Sequence, residues 1–184
     1  MEIESDSQLM RLIQGGDNAP LAALFERYHP ALFKYLFYLT RDRAQSEDLV
    51  QEVFFRVLKY ARSYDVHLPF AGWLYGMARN VYVDAAHKRR GEVMGADLHE
   101  MKSSDPMPEE LFARKVDVER LREALLSLPE DKREVLVLSR FHDLRYEEIA
   151  RILGCEIGAV KVRVYRALRQ LRENFLRTPR KEAV

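Results

Sequence analysis

Apolar residues recur along this chain at the spacing of a helix, and no stretch of convincing length shows the two-residue alternation of a half-buried strand. Leu9, Leu12 and Ile13 predict a first short helix, closed by Gly15-Gly16. Asp17-Asn18 can cap a second helix through Leu21, Leu24, Phe25 and Tyr28, predicted to stop at Pro30, which has no N–H to donate. A third follows from about Ala31 to Thr40, with Leu32, Tyr35, Leu36 and Leu39 on one stripe. Asp42 or Ser46 opens a fourth, whose Leu49, Val50, Val53, Phe54 and Val57 make one wide apolar face. A loop from about Ser63 to Pro69 precedes a fifth helix, Phe70 to about Arg90, with Leu74, Met77, Ala78 and Val81 inward.

From Gly91 to Pro108 the pattern lapses into Gly, Pro, Ser and acids, which predicts a flexible acidic linker over 91–115. Periodicity then returns. One helix is predicted from about Val116 to Leu126, and Pro129-Glu130-Asp131 opens another carrying Val135, Leu136 and Leu138. A short helix, Tyr146 to Leu153, is followed by a turn at Gly154-Cys155-Glu156 and a long basic helix from about Gly158 to Leu176. The expectation is an all-α chain of two small helical domains, 1–90 and 116–178, joined by the linker and followed by a tail, 179–184.

Composition narrows the class. The chain has 184 residues, 47% of them hydrophobic and 32% charged, which suits globular domains and not a disordered chain. A single cysteine, Cys155, excludes a disulfide framework and a cysteine-based zinc cage. The start carries no secretory signal pattern, and Ala31 to Leu39 is far short of the ~20 residues a membrane helix needs. The expected setting is cytoplasmic, with no membrane insertion.

The net charge of +1 conceals an uneven distribution. Residues 91–128 carry a net −4 and residues 129–184 a net +4, and 161–181 hold eight Lys or Arg against one acid, Glu173. A nearly neutral chain with one cationic end points to a localised polyanion contact. The geometry agrees. A short helix, a Gly turn and a second helix make a helix-turn-helix, whose second helix packs through Val160, Val164, Ala167, Leu168 and Leu171. Lys161, Arg163, Tyr165, Arg166, Arg169 and Arg172 are left on its other faces, and Gly158 lets its N-terminus approach a DNA backbone closely. Such a helix fits the major groove, where Arg and Lys read guanine edges. Alone, a basic amphipathic helix is more often a solvated surface helix; the preceding turn reverses that reading. Cys155 is a small residue filling a turn.

Two further constellations lie in the first half. Asp48, Gln51 and Glu52 share one face of the fourth helix, opposite its apolar stripe, beside an outward Phe55; this suits a basic protein helix, although a wet face is the ordinary alternative. Between Tyr64 and Arg90, aromatics (Tyr64, Phe70, Trp73, Tyr75, Tyr82) mingle with Arg79, Asn80 and a basic run, the combination that unpaired bases and their phosphates require. Trp73 taken alone is more readily core. Asn80 is a poor mid-helix residue that can hydrogen-bond a base edge.

Four ordered segments resemble the extracytoplasmic-function sigma factors of bacterial RNA polymerase: Ala44 to Val57, Phe70 to Asn80, Leu128 to Leu136, and Tyr146 through Ala167. They span nearly the whole chain outside the linker and tail. The resemblance implies that Asp48, Gln51, Glu52 and Phe55 grip the β′ clamp helices of core RNA polymerase, with further contact to its β subunit. It implies that Tyr64, Asp65, Phe70, Trp73, Arg79 and Asn80 capture a flipped base of the melted −10 element. It also implies that Gly158, Lys161, Val162, Arg163, Tyr165, Arg166 and Arg169 contact the −35 element. Val162 stands where many relatives have Ser, and Leu168 where many have Arg. An alternative sigma factor of stress responses, held by an anti-sigma factor, is the function implied, with no cofactor, metal or small-molecule substrate and no enzymatic activity.

The rival reading is a free-standing helix-turn-helix regulator whose first half senses a ligand or dimerises. An enzyme is disfavoured because the five His and one Cys have no metal-ligand spacing and no nucleophile elbow or phosphate loop appears; His87 and His99 read as surface residues.

Overall fold

The computed structural model describes residues 5–92, 109–141 and 144–179. Among them the regular elements are all helical: α1 Asp6–Gln14, α2 Leu21–Thr40, α3 Arg43–Lys59, α4 Phe70–Glu92, α5 Glu109–Leu126, α6 Glu130–Phe141, α7 Tyr146–Leu153 and α8 Ile157–Arg177, with a 3₁₀ turn at Ala61–Ser63. Most of the expected linker (93–108), His99, and 180–184 of the expected tail lie outside the described residues. The helix foreseen from Val116 begins seven residues earlier, at Glu109.

Side-chain caps start two of the helices. Ser5 accepts from the Gln8 amide while Gln8 Oε1 accepts from the Ser5 amide at 2.7 Å, a reciprocal cap that starts α1. Asp42, not Ser46, caps α3, accepting from the Gln45 amide at 3.1 Å. Ser46 lies inside the helix, fully buried, its hydroxyl donating to the Asp42 carbonyl at 2.5 Å.

The expected break at Pro30 does not occur. Leu21–Thr40 is one helix with Pro30 inside it, on the exposed side. Proline removes one backbone hydrogen bond and costs about 3 kcal/mol in a helix interior. Burial of Leu24 before it and Leu32, Tyr35, Leu36 and Leu39 after it outweighs that cost, since each such side chain contributes ~1.5–3 kcal/mol.

The two helical halves pack on each other: one cluster of buried side chains runs from Leu9 through Val57, Leu74 and Val81 to Leu136, Ile149 and Ala167. Helix α6 packs on α2, and α7 on α4. Polar contacts cross this seam, among them a hydrogen bond between Tyr82 of α4 and Glu130 of α6. The Glu134 carboxylate on α6 accepts from the Tyr35 hydroxyl of α2 and from Arg79 Nε of α4, each at 3.1 Å. Arg41, in the left-handed conformation (φ 59°) that ends α2, donates to the Leu126 carbonyl at the end of α5. Gly72 of α4 lies under Glu148 of α7, where a Cβ would stand 3.1 Å from Oε1. Tyr35 is itself fully buried, edge-on to Tyr75 at 5.4 Å between ring centres.

Glu134 decides how firmly the seam holds. Burial raises its carboxyl pKa, more than the facing Arg79 and the Tyr35 hydroxyl lower it. A raised folded-state value means stability present below the unfolded carboxylate pKa and lost as pH rises through the folded one. Glu134→Ala leaves the Tyr35 hydroxyl and Arg79 without their acceptor and is expected to destabilise by about 1–3 kcal/mol. Glu134→Gln retains an oxygen that can accept from both, and at pH 7 its urea midpoint should be no lower than that of the wild type. A Gln variant as unstable as the Ala variant would show that the charge itself is essential.

Candidate nucleic-acid interface

The C-terminal element is the simpler of the two. Helix α7 ends at Gly154, whose φ of 63° is the left-handed conformation that glycine adopts without penalty. The amides of Gly154 and Cys155 bond back to the carbonyls of Arg151 and Ala150 at 3.3 and 3.0 Å, turning the chain directly into α8. Val160, Val164 and Ala167 bury one side of α8, with Leu168 and Leu171 half-buried beside them. Gly158, Lys161, Val162, Arg163, Tyr165, Arg166 and Arg169 are all exposed, so every residue assigned to duplex contact lies on the solvent side. Lys161, Arg163 and Arg166 form no ion pair with a described residue; Arg169 reaches Glu173 at 3.8 Å. Their charge is therefore available to phosphate. Cys155 is free and half-buried in the turn.

The N-terminal element is a cavity of about 480 Å³ at the start of α4. Its walls include Tyr64, Asp65 and Leu68 from the loop after α3, with Trp73 and Asn80 from α4. Gln14, at the end of α1, positions that loop by donating to the carbonyls of Ala61 and Tyr64 at 3.0 and 2.8 Å. The Tyr64 hydroxyl closes the turn on the Leu68 carbonyl at 2.5 Å, and Asp65 Oδ1 accepts from the His67 amide.

The six residues assigned to strand capture divide into three groups. Tyr64 and Phe70 are buried, 4% and 2% exposed, and pack edge-on at 5.7 Å, so they frame the loop and offer no open face to a base. Burial raises the Tyr64 pKa accordingly. Asp65, Trp73 and Asn80 line the cavity; Asn80 is exposed and Trp73 half-buried against Tyr64. Arg79 faces the other way, into the seam, paired with Glu134.

On α3 the acceptor patch is where the pattern put it. Asp48 and Gln51 are exposed and Phe55 is 60% exposed. Glu52 is only half-exposed, because its carboxylate accepts from Arg56 Nε at 2.7 Å.

The sequence reading missed the far wall of the cavity. Glu148, Arg151 and Ile152 of α7 face Trp73 and Asn80 across it, and Arg56 enters from α3. Nothing in local spacing signals that meeting, because it is made by the packing of two distant segments. Among the described residues no group of His, Cys, Asp and Glu could hold a metal ion, and no helix is long and apolar enough to cross a membrane.

Known families match the two halves of the chain separately. The family described as Sigma-70 region 2 matches residues 24–92, and Sigma-70, region 4 matches residues 118–171. The chain is similar to the ECF RNA polymerase sigma factor SigX of Bacillus subtilis, 30% identical over 158 residues, 83% of this chain and 81% of the relative. It is 34% identical over 142 residues to EcfG of Rhodopseudomonas palustris, 77% of each chain. SigE of Mycolicibacterium smegmatis is longer: the match, 31% identical, takes in 86% of this chain but 63% of that relative. Among solved structures, the sigma factor RpoE in complex with the anti-sigma factor NepR from Bartonella quintana superposes with a TM-score of 0.69 at 28% identity, over 86% of this chain and 98% of that one.

Arg166→Ala tests whether α8 reads bases. If the guanidinium contacts a base edge, affinity for the cognate duplex should fall by about 1–3 kcal/mol while affinity for scrambled duplex falls much less. Equal losses on both, measured by fluorescence anisotropy, would reduce Arg166 to a phosphate contact.

Proposed function

The chain belongs to the extracytoplasmic-function RNA polymerase sigma factors, and from that premise we propose that it binds core RNA polymerase, directs it to promoters through their −35 and −10 elements, and helps open the −10 region. The observation that carries this reading is the pair of dissimilar surfaces in one chain: an exposed cationic helix suited to duplex DNA, and an aromatic face of α4, Trp73 with an exposed Asn80, suited to an extruded base. A free-standing regulator needs only the first.

Each surface has its task. On α8, Lys161, Arg163 and Arg166 neutralise phosphate and read the −35 duplex, with Gly158, Val162, Tyr165 and Arg169 around them. At the cavity, Trp73 supplies a stacking face, Asn80 a base-edge hydrogen bond and Asp65 a polar rim, while Tyr64 and Phe70 hold the loop in shape. Opening DNA costs a few kcal/mol per unstacked base, and pocketing the extruded base offsets part of that. Asp48, Gln51, Glu52 and Phe55 form the surface for the β′ clamp helices. The domain boundaries serve as the working units, 1–90 for polymerase and −10 DNA, 116–178 for −35 DNA. The chain acts by binding and positioning, in the cytoplasm, without a cofactor. As with the NepR-bound relative, an anti-sigma factor is the expected inhibitor, released under stress.

The packed arrangement cannot serve both elements at once. Sites about 25 base pairs apart lie about 85 Å apart along B-DNA at 3.4 Å per pair. A compact chain of this length has a radius of gyration of about 16 Å, hence a width of about 40 Å. The two halves therefore part on the promoter, α6 and α7 leaving α2 and α4, which also frees Arg79 from Glu134.

In vitro transcription tests the function as a whole: purified chain with core polymerase on a promoter library should yield discrete start sites, and none would appear if the reading is wrong. Gln51→Ala with Phe55→Ala should abolish co-elution with core polymerase while leaving the unfolding midpoint unchanged; undiminished co-elution would remove the clamp assignment. For the opening, a cysteine pair at Gly76 and Ile152 in a Cys155→Ala background can bridge the seam, since a Cβ at position 76 would lie 3.9 Å from Ile152 Cγ1. The oxidised form should be silent in transcription and recover on reduction. Equal activity in both states would mean that the halves need not part.

A further inference from the structure

Arg56 stands between the two surfaces of the N-terminal half. It lies on α3 one turn after Glu52 and immediately after Phe55, within the face expected to meet polymerase. Its Nε donates to Glu52 at 2.7 Å, and its Nη1 reaches across to Asp84 Oδ2 on α4 at 2.9 Å. Asp84 follows Asn80 by one helical turn, so the two share a face of α4. The guanidinium is thereby held beside the base-capture residues, and Arg56 lines the same cavity as Tyr64, Trp73 and Asn80.

Charge decides what this cation can do. Flanked by two carboxylates, Arg56 sits in a trio of net charge −1, which repels phosphate. Both pairs are partly open to water, with Glu52 43% and Asp84 61% exposed at the side chain. Such pairs contribute little, about 0.2–1 kcal/mol each, and exchange readily. A guanidinium has five donors, and these two bonds occupy two of them. Its planar fork matches a phosphate better than a half-exposed carboxylate on a flexible stem.

We propose that Arg56 is a backbone-phosphate contact for the captured −10 strand, masked in the free chain by Glu52 and Asp84 and unmasked when polymerase takes up Glu52. The inference rests on the sigma reading above and deepens its N-terminal site. A basic clamp surface that engages the Glu52 carboxylate removes one of the two internal competitors. The remaining pair with Asp84 is neutral, and Asp84, the more exposed partner, yields to a strand phosphate. Binding of polymerase is thus coupled to strand capture through one side chain, over a single helical turn.

The test measures anisotropy of a fluorescent single strand bearing the −10 element of a promoter recovered by the library transcription, bound to holoenzyme containing wild-type, Arg56→Ala, Arg56→Lys, Asp84→Asn or Asp84→Asn/Arg56→Ala chain. Arg56→Ala should weaken binding roughly tenfold. It should also flatten the dependence of log affinity on log salt by about 0.7, the share of one phosphate on a single strand. Arg56→Lys should recover part of both. Asp84→Asn, which removes a competitor, should tighten binding by about two- to fivefold, and the double variant should match Arg56→Ala alone. A merely structural ion pair would make Asp84→Asn weaken binding along with Arg56→Ala, and that outcome, or an unchanged salt slope, overturns the assignment. Should Arg56→Ala fail to fold, the opposite signs expected of Asp84→Asn and Arg56→Lys decide. A wild-type holoenzyme that transcribes but shows no Asp84→Asn gain refutes only this proposal; one that neither transcribes nor holds the strand refutes the sigma reading as well.

Discussion

A carboxylate withdrawn from water must be met by donors, and Glu134 is met from two helices of the other half. Tyr35 on α2 and Arg79 on α4 both converge on its Oε1. Because the group is deeply buried, those donors are required, and α6 is held in one register against α2 and α4. The rest of the arrangement follows from that placement. With α6 seated, α7 comes to rest on α4, where Gly72 leaves room for Glu148 and Gly76 lies next to Ile152. Glu148 in turn accepts from the Arg145 amide at 2.8 Å, so the residue that touches α4 also starts α7.

The cations of the two halves differ in how they are paired. In the N-terminal half the arginines near the cavity are engaged by acids: Arg79 by Glu134, and Arg56 by Glu52 and Asp84. On α8, Lys161, Arg163 and Arg166 are left to solvent. The packed chain therefore leaves positive charge open on α8 and pairs it beside the cavity. Under the proposed function, this asymmetry suits a protein that meets an unpaired strand only after polymerase has engaged. Near-zero net charge works in the same direction, since a strongly cationic chain would bind nucleic acid indiscriminately.

Shape at the cavity is maintained from a distance. Gln14 on α1 holds the carbonyls of Ala61 and Tyr64, and the Tyr64 ring packs between Phe70 and Trp73. The loop is thus held in place by a side chain some fifty residues earlier.

What could be read from residues alone was governed by neighbours within a few positions. The Asp42 end, the apolar stripe of α3, the Gly154 turn and the outward cations of α8 all follow from spacing, capping and a single left-handed glycine, because helices satisfy their backbone hydrogen bonds locally. Four segments were enough to point to the family. Contacts across a hundred residues were not legible. Pro30 stays inside a helix because of what α2 packs against; Tyr64 and Phe70 are interior because other elements close over them; Arg79 pairs with Glu134 because α6 is there to receive it. Periodicity states which face of a helix will be buried, but the partner that buries it is selected by the joint fit of all the faces, and that is decided only when the chain folds.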